Sequence, residues 1–127
     1  MRNKNITELE RRDFGDPKDA PTPMVKRCLE LCRVPIDDFT PEDLRLMIGQ
    51  AFSLQYLVPM AIEHLQKDIL TEGDLYPGDL LSAMLNIDPV FWLDNKELWF
   101  EVMELIENGR ENLALGGIDT KAFEALY

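Results

Sequence analysis

The chain has little with which to do nucleophile or metal chemistry: one histidine, His64, and two cysteines, Cys28 and Cys32. One His and two Cys cannot fill an ordinary four-ligand zinc site without carboxylate help. Four positions apart on a helix, Cys28 and Cys32 share a face with Val25 and Leu29 and read as small buried hydrophobes. A disulfide framework would need more cysteines and an oxidising compartment. His64 falls on the Tyr56–Met60–His64 edge of its helix, where it reads as a flank histidine that simply hydrogen-bonds. The nucleophile elbow, the phosphate-binding loop and the dinucleotide fingerprint are all missing. Carboxylates are plentiful, but nothing in the sequence desolvates one of them, as general acid–base work requires. The expectation is a protein that is not an enzyme, with no catalytic residue, no metal, no cofactor and no small-molecule substrate.

Long hydrophobic runs are missing too. No stretch reaches the roughly 18 apolar residues of a membrane span. The start, Met1-Arg-Asn-Lys-Asn5, is charged, but Leu9-Glu-Arg-Arg-Asp13 follows where a signal peptide would be apolar. These features predict a cytoplasmic protein that makes no membrane contact. Positive charge is scarce, and unevenly so. The chain carries 24 acidic and 13 basic residues, a net charge of −11. Residues 1–67 hold 11 acidic and 10 basic residues, whereas residues 68–127 hold 13 acidic and 3 basic. Such a field repels nucleic acid and anionic membrane and attracts basic partners. The same charge would also serve solubility alone.

What is present is helix. The length of 127 residues and 46% hydrophobic content suit one domain, residues 1–127, with a core that needs no staples. Residues 15–23 read as a loop after a short, weak N-terminal helix, which makes residues 1–20 a peripheral segment. Thr22-Pro23 reads as N-cap and first residue of a helix running to Arg33, stopped by Val34-Pro35. Thr40-Pro41-Glu42-Asp43 is a strong helix start, followed by Leu44, Met47, Ile48, Ala51 and Phe52 on one face. Residues 54–67 repeat that spacing with Leu54, Leu57, Val58, Ala61, Ile62 and Leu65. Pro59 interrupts the repeat and predicts a kink or a new helix start.

Glu72 to Asp79 is dense in turn formers and must be a connection. Asp79 to Asn86 then reads as a short buried helix, broken by Asp88-Pro89. Asp94 or Asn95 caps a longer helix to about Glu107, ended by Asn108-Gly109. Gly116-Gly117 is a loop, and Asp119 caps a last turn or two ending at Tyr127. No period-two alternation occurs, so the predicted class is all-α, a compact single-domain helical bundle of about six to eight helices.

The long C-terminal helix carries the sharpest surface signal. On a helical wheel Leu98, Trp99, Val102, Leu105 and Ile106 share one arc, with Met103 at its edge. Glu97, Glu101, Glu104, Glu107 and, if the helix continues, Glu111 fill the opposite arc. Like charges at these spacings destabilise a helix by a few tenths of a kcal/mol per pair, and only Lys96 and Arg110 are near enough to relieve them. Phe100 lies inside the acidic stripe. A carboxylate-rich face with an aromatic in its middle suits a basic protein surface. The alternative is a solvated face of good helix formers, with Phe100 covering a neighbouring loop.

Several motifs in order resemble a known family. Asp38-Phe-Thr-Pro-Glu-Asp-Leu-Arg45, Ile48-Gly-Gln50, Tyr56-Leu-Val-Pro59, Glu72-Gly-Asp-Leu-Tyr-Pro-Gly-Asp-Leu-Leu81 and Phe91-Trp92 resemble the CdiI-type immunity proteins of contact-dependent growth inhibition systems. The resemblance covers roughly residues 8–105. The family usually shows a second glycine soon after Ile-Gly-Gln, where this chain has Ala51-Phe52-Ser53. The resemblance implies a bacterial protein that binds the C-terminal toxin domain of a surface-delivered effector and blocks it. Such toxins are often nucleases, and a nuclease is commonly basic because it binds phosphate. The expected partner is therefore a basic nuclease domain, bound stoichiometrically, with no direct nucleic-acid contact. The rival reading is an acidic adaptor or nucleic-acid mimic on a basic housekeeping protein. Within the Glu72–Leu81 motif, Pro77 and Gly78 shape a helix entry, Asp79 caps, and Leu80 and Leu81 fill the core. Specificity needs differences between relatives, so the expected partner-binding residues lie first on the acidic helix, at Glu97, Phe100, Glu101 and Glu104. The loop residues Glu72, Asp74 and Tyr76 come second.

Overall fold

A computed structural model describes residues 1–127 and contains helices and turns but no strand. The helices are α1 (Ile6–Glu10), α2 (Pro23–Leu31), α3 (Pro41–Gly49), α4 (Leu54–Lys67), α5 (Asp79–Leu85), α6 (Pro89–Asp94), α7 (Lys96–Asn108), α8 (Arg110–Leu115) and α9 (Lys121–Glu124). Short 3-10 turns lie at Pro17–Asp19 and Ile36–Asp38. The all-α expectation holds, with nine helices, of which α2, α3, α4, α5 and α7 have seven residues or more.

Side-chain caps set several of the starts. The Thr22 hydroxyl accepts from the Val25 N–H at 3.1 Å. The Thr40 hydroxyl accepts from the Asp43 N–H at 3.2 Å, and the Asp43 carboxylate accepts from the Thr40 N–H at 3.0 Å, a reciprocal capping box. Asp88 caps α6 through the Val90 N–H at 3.0 Å. At α7 the expected cap is absent. Asn95 occupies the N-cap position, but its side-chain amide donates to the Phe91 carbonyl at 2.8 Å and so ties α7 back to α6.

α3 packs against α4 and α5, α2 rests on α3, and α4 reaches α7, which also touches α6 and α8. One apolar cluster fills the space between them, with Leu44, Met47, Leu57, Val58, Leu80, Leu81, Met84, Trp92 and Val102 fully enclosed. Ile6 joins it from the N-terminal segment, whose backbone is pinned by the Ile36 N–H on the Lys4 carbonyl at 3.0 Å. Cys28 and Cys32 are free thiols buried in the same cluster. Burial pushes the Cys32 thiol up to about 11 and raises that of Cys28, so neither is a ready nucleophile.

An aromatic cluster fixes the C-terminus. Phe123 meets Trp92 edge-on at 5.0 Å and lies nearly parallel to Trp99 at 5.8 Å. The Trp99 indole N–H donates to the Phe123 carbonyl at 2.9 Å. The Tyr127 hydroxyl reaches the Trp92 and Leu93 carbonyls, both at 3.0 Å.

Two local features depart from simple sequence reading. α4 runs unbroken through Pro59, so no helix starts there. The missing N–H would have met the carbonyl of Gln55, an exposed residue that water can satisfy. The α3–α4 connection is tight: Ala51 and Ser53 both adopt left-handed backbone, at φ 61° and 46°. Without glycine such a conformation costs roughly 1–2 kcal/mol. Ala51→Gly should therefore raise stability by about 1 kcal/mol, because the exposed Ala51 methyl contributes little packing. Urea denaturation measures it, and an unchanged or lower midpoint would mean that the Ala51 backbone is not strained.

Candidate partner-binding surface

The segment Glu72–Gly78 folds around a carboxylate. Asp79, only 2% exposed, accepts from the Gly73 N–H at 2.6 Å, the Leu75 N–H at 3.0 Å and the Tyr76 N–H at 3.4 Å. The sequence led us to expect Asp79 as a cap of its own helix. It instead caps the loop before it, while Gly78, at φ +90°, makes the turn into α5. A second carboxylate, Glu42 of α3, accepts from the Asp74 N–H at 2.8 Å. Glu42 is gripped by the Arg45 guanidinium through two hydrogen bonds of 2.6 Å, and Arg45 lies 4.0 Å from Asp79. The Arg45 hydrogen bonds hold the Glu42 carboxyl below its ordinary range against the opposing effect of burial, and the Asp74 N–H adds to them. Gly73 is the residue that permits this approach, since a Cβ there would lie 2.6 Å from the Glu42 carboxylate and 3.2 Å from its Cα.

The loop presents Leu75, 61% exposed, and Tyr76, 45% exposed. Glu72 and Asp74 are exposed beside them. Two cavities, of about 360 Å³ and 280 Å³, are both lined by Tyr76 together with Ser82 and Asn86 of α5 and its C-cap.

On α7, Trp99, Val102 and Ile106 are buried, and Leu98, Met103 and Leu105 pack half-buried against the core, as the wheel requires. Glu97, Glu101 and Glu104 are exposed on the other side. Phe100 is 53% exposed but does not stand alone. Its ring meets Trp99 edge-on at 5.0 Å and stacks with Tyr127 at 6.3 Å. The Lys96 ammonium sits 5.6 Å from the Phe100 ring and 5.4 Å from that of Tyr127. Sequence reasoning missed Tyr127 as a neighbour of Phe100, because no local pattern links residues so far apart in the chain.

The acids of residues 68–127 divide into two sets. Asp68, Asp79, Asp88 and Asp119 cap backbone N–H groups. Glu107 and Glu124 share Arg110, which lowers both carboxyls and brings Glu124 down to about 2 with help from the Thr120 hydroxyl. Glu72, Asp74, Asp94, Glu97, Glu101, Glu104 and Glu111 use their carboxylates in no intramolecular hydrogen bond or ion pair. The unengaged charge is thus concentrated on the α7–α8 face and on the Glu72–Asp74 loop.

His64 is half-buried, and its imidazole makes no hydrogen bond within the chain; its carbonyl accepts from the Asp68 N–H at 3.1 Å and the Thr71 hydroxyl at 3.2 Å. No three His, Cys, Asp or Glu side chains come together as metal ligands would. No helix is long and apolar enough to cross a membrane. These features define an acidic, all-helical protein whose unengaged chemistry lies on surfaces suited to a protein partner. The chain belongs to the family of CDI immunity proteins, whose family model matches residues 8–102. That match includes the Glu72–Asp79 loop and ends within α7. No curated protein and no solved structure matches the chain.

Two outcomes follow from this electrostatics. Asp79→Asn keeps the shape but turns one acceptor into a donor facing backbone N–H groups, and should cost about 2–3 kcal/mol in urea denaturation. An unchanged midpoint would show that the loop does not depend on the carboxylate. The Arg110 cluster should act at acid pH. A carboxyl held low in the folded state stabilises fully above its ordinary value of 4.5, and that contribution is lost as pH falls toward the folded value, about 2 for Glu124. Melting temperature should therefore fall less steeply between those pH values in Arg110→Ala than in the parent chain; equal slopes would place the acid sensitivity elsewhere.

Proposed function

We propose that this chain binds the C-terminal toxin domain of a contact-dependent growth inhibition effector and neutralises it by stoichiometric occlusion. The observation that carries this reading is membership of the CDI immunity family. The partner is a basic domain, and a nuclease fits best, because an enzyme that grips phosphate presents the cations that a field of unengaged carboxylates attracts. Binding covers the active site or a surface that the toxin's substrate needs, in the cytoplasm of the protected cell, and requires no catalysis. An acidic adaptor or nucleic-acid mimic on a housekeeping protein is the second reading, favoured only by the excess of 13 acids over 3 bases in residues 68–127. Co-expression with the neighbouring toxin domain, followed by co-purification, separates the two.

Glu97, Glu101 and Glu104 act in this reading by steering. Exposed charges at a rim raise the association rate more than they slow release, and salt screens them within about 8 Å at physiological ionic strength. The removal of Phe100 is a less clean probe, since its contacts with Trp99 and Tyr127 also support the fold. Joint reversal of Glu97, Glu101 and Glu104 to lysine should slow association with the toxin domain by roughly tenfold or more at low salt. The deficit should shrink as salt rises, with the melting temperature preserved. Surface plasmon resonance at two salt concentrations reads it, and an association rate that ignores the reversal would remove α7 from the interface.

A further inference from the structure

The acidic helix accounts for attraction but offers little to hold a partner, because its one exposed aromatic, Phe100, is already stacked within the chain. A different surface has the complementary properties. The two cavities share Tyr76, Ser82 and Asn86 as walls, so together they form a trench across the outer side of α5. Its floor on the α3 side is apolar, from Ile48, Leu54, Ala83 and Ile87. On the other side it reaches Ile118 and Asp119 of the α8–α9 connection.

The charge of the trench selects its occupant. Arg45 is the only cation lining either cavity, and Glu42 grips it through two hydrogen bonds. Asp79 is committed to the loop amides. Asp88 lines one cavity and Asp119 the other; one carboxylate oxygen of each accepts from a backbone N–H, of Val90 and Lys121 respectively, and no cation neutralises either one. Asp74, also unengaged, lies in the loop that forms the wall. A slot with an apolar floor on the α3 side, bordered by carboxylates and with no free cation, fits an apolar side chain flanked by lysine or arginine. Leu75 and Tyr76 stand exposed at its edge on a loop whose conformation is already fixed by Asp79 and Glu42. A fixed loop loses little conformational entropy on binding, which is the condition for an anchor.

We infer that this trench is the anchoring site for the toxin, receiving an apolar side chain of the basic domain with an adjacent lysine or arginine at its bordering carboxylates. The inference rests on the toxin-binding reading and adds a division of labour: α7 steers, the α5 trench holds. It predicts different kinetic signatures for the two surfaces, since buried anchors act mainly on dissociation.

The probe is the C-terminal domain of the effector encoded beside this chain. Asn86→Arg blocks both cavities and adds a repelling charge. Asn86 is exposed and ends α5, where a cation suits the helix dipole, so the fold should persist. It should raise Kd on the order of 100-fold, mainly through faster dissociation, with an unchanged melting temperature. Tyr76→Ala, which removes a wall without adding charge, should speed dissociation roughly tenfold, with little change in salt dependence. Hydrogen exchange on the parent complex, free of any substitution, should show protection of residues 72–88. A folded Asn86→Arg that binds within about twofold of the parent, or a complex without protection at residues 72–88, would overturn the anchoring site while leaving toxin binding intact. A parent chain that does not bind the toxin domain at all would overturn the toxin-binding reading and the anchor together.

Discussion

Asp79 is a carboxylate almost without solvent, and its charge is balanced by three backbone N–H groups and the nearby Arg45 rather than by a tight ion pair. Burying an anion is costly unless its lone pairs are engaged. Here the engaged groups are the amides of a loop that has no helix or sheet to satisfy them, so one side chain answers two burial problems at once. The neighbours follow from it. Gly73 must lack a side chain because α3 approaches the loop there, Gly78 must turn with positive φ, and Glu42 must face the loop to take the Asp74 amide. The close packing of α3 on α5, which carries much of the core, is the same contact seen from the apolar side.

Much of the helical frame was legible because its signals are local. Thr22 and Thr40 cap where the threonine–proline pairs predicted, and the wheel of α7 sorts buried from exposed residues correctly. α2 ends at Leu31 rather than Arg33, since the chain tightens into i to i+3 bonds before Val34-Pro35. What was not legible depends on contacts distant in sequence. Pro59 signals a break in any single-helix argument, yet packing on both sides carries α4 through it. Asp79 stands at the position of a helix cap, and only the folded loop shows that its acceptors serve residues before it. Phe100 is a stray aromatic on the wheel until Tyr127 arrives beside it. Asn95 occupies the capping position but spends its side chain on α6, a choice that no helix-local rule anticipates.

The distribution of carboxylates carries the argument from fold to function. A net charge of −11 describes solubility as well as it describes recognition, so the total decides nothing. The partition decides more. Acids that cap amides or grip Arg45 and Arg110 have structural duties, and changing them would disturb the backbone. Glu97, Glu101 and Glu104 on α7 and the acids of the Glu72–Asp74 segment have none, and these three α7 acids carry like charges at helical spacing that no ion pair relieves. A helix stripped of such repulsion would be slightly more stable by itself. The stripe is therefore a small standing cost to folding, and a basic partner is the agent that would offset it.

Freedom from structural duty also constrains where recognition of one particular partner can reside. Gly73, Gly78 and Asp79 build the loop and cannot vary without losing it. Leu75, Tyr76, Ser82 and Asn86 point their chemistry into the trench or into solvent and support no hydrogen bond from their side chains. A rigid frame that displays replaceable side chains lets one fold meet different partners, because the conformation of the display does not depend on what is displayed. Discrimination between partners is a difference of affinities, and it is sharpest where a wrong side chain meets a filled slot or a like charge. In this chain that condition is met on the outer side of α5, between fixed walls, more than on the α7 stripe, whose diffuse negative field would welcome any basic surface.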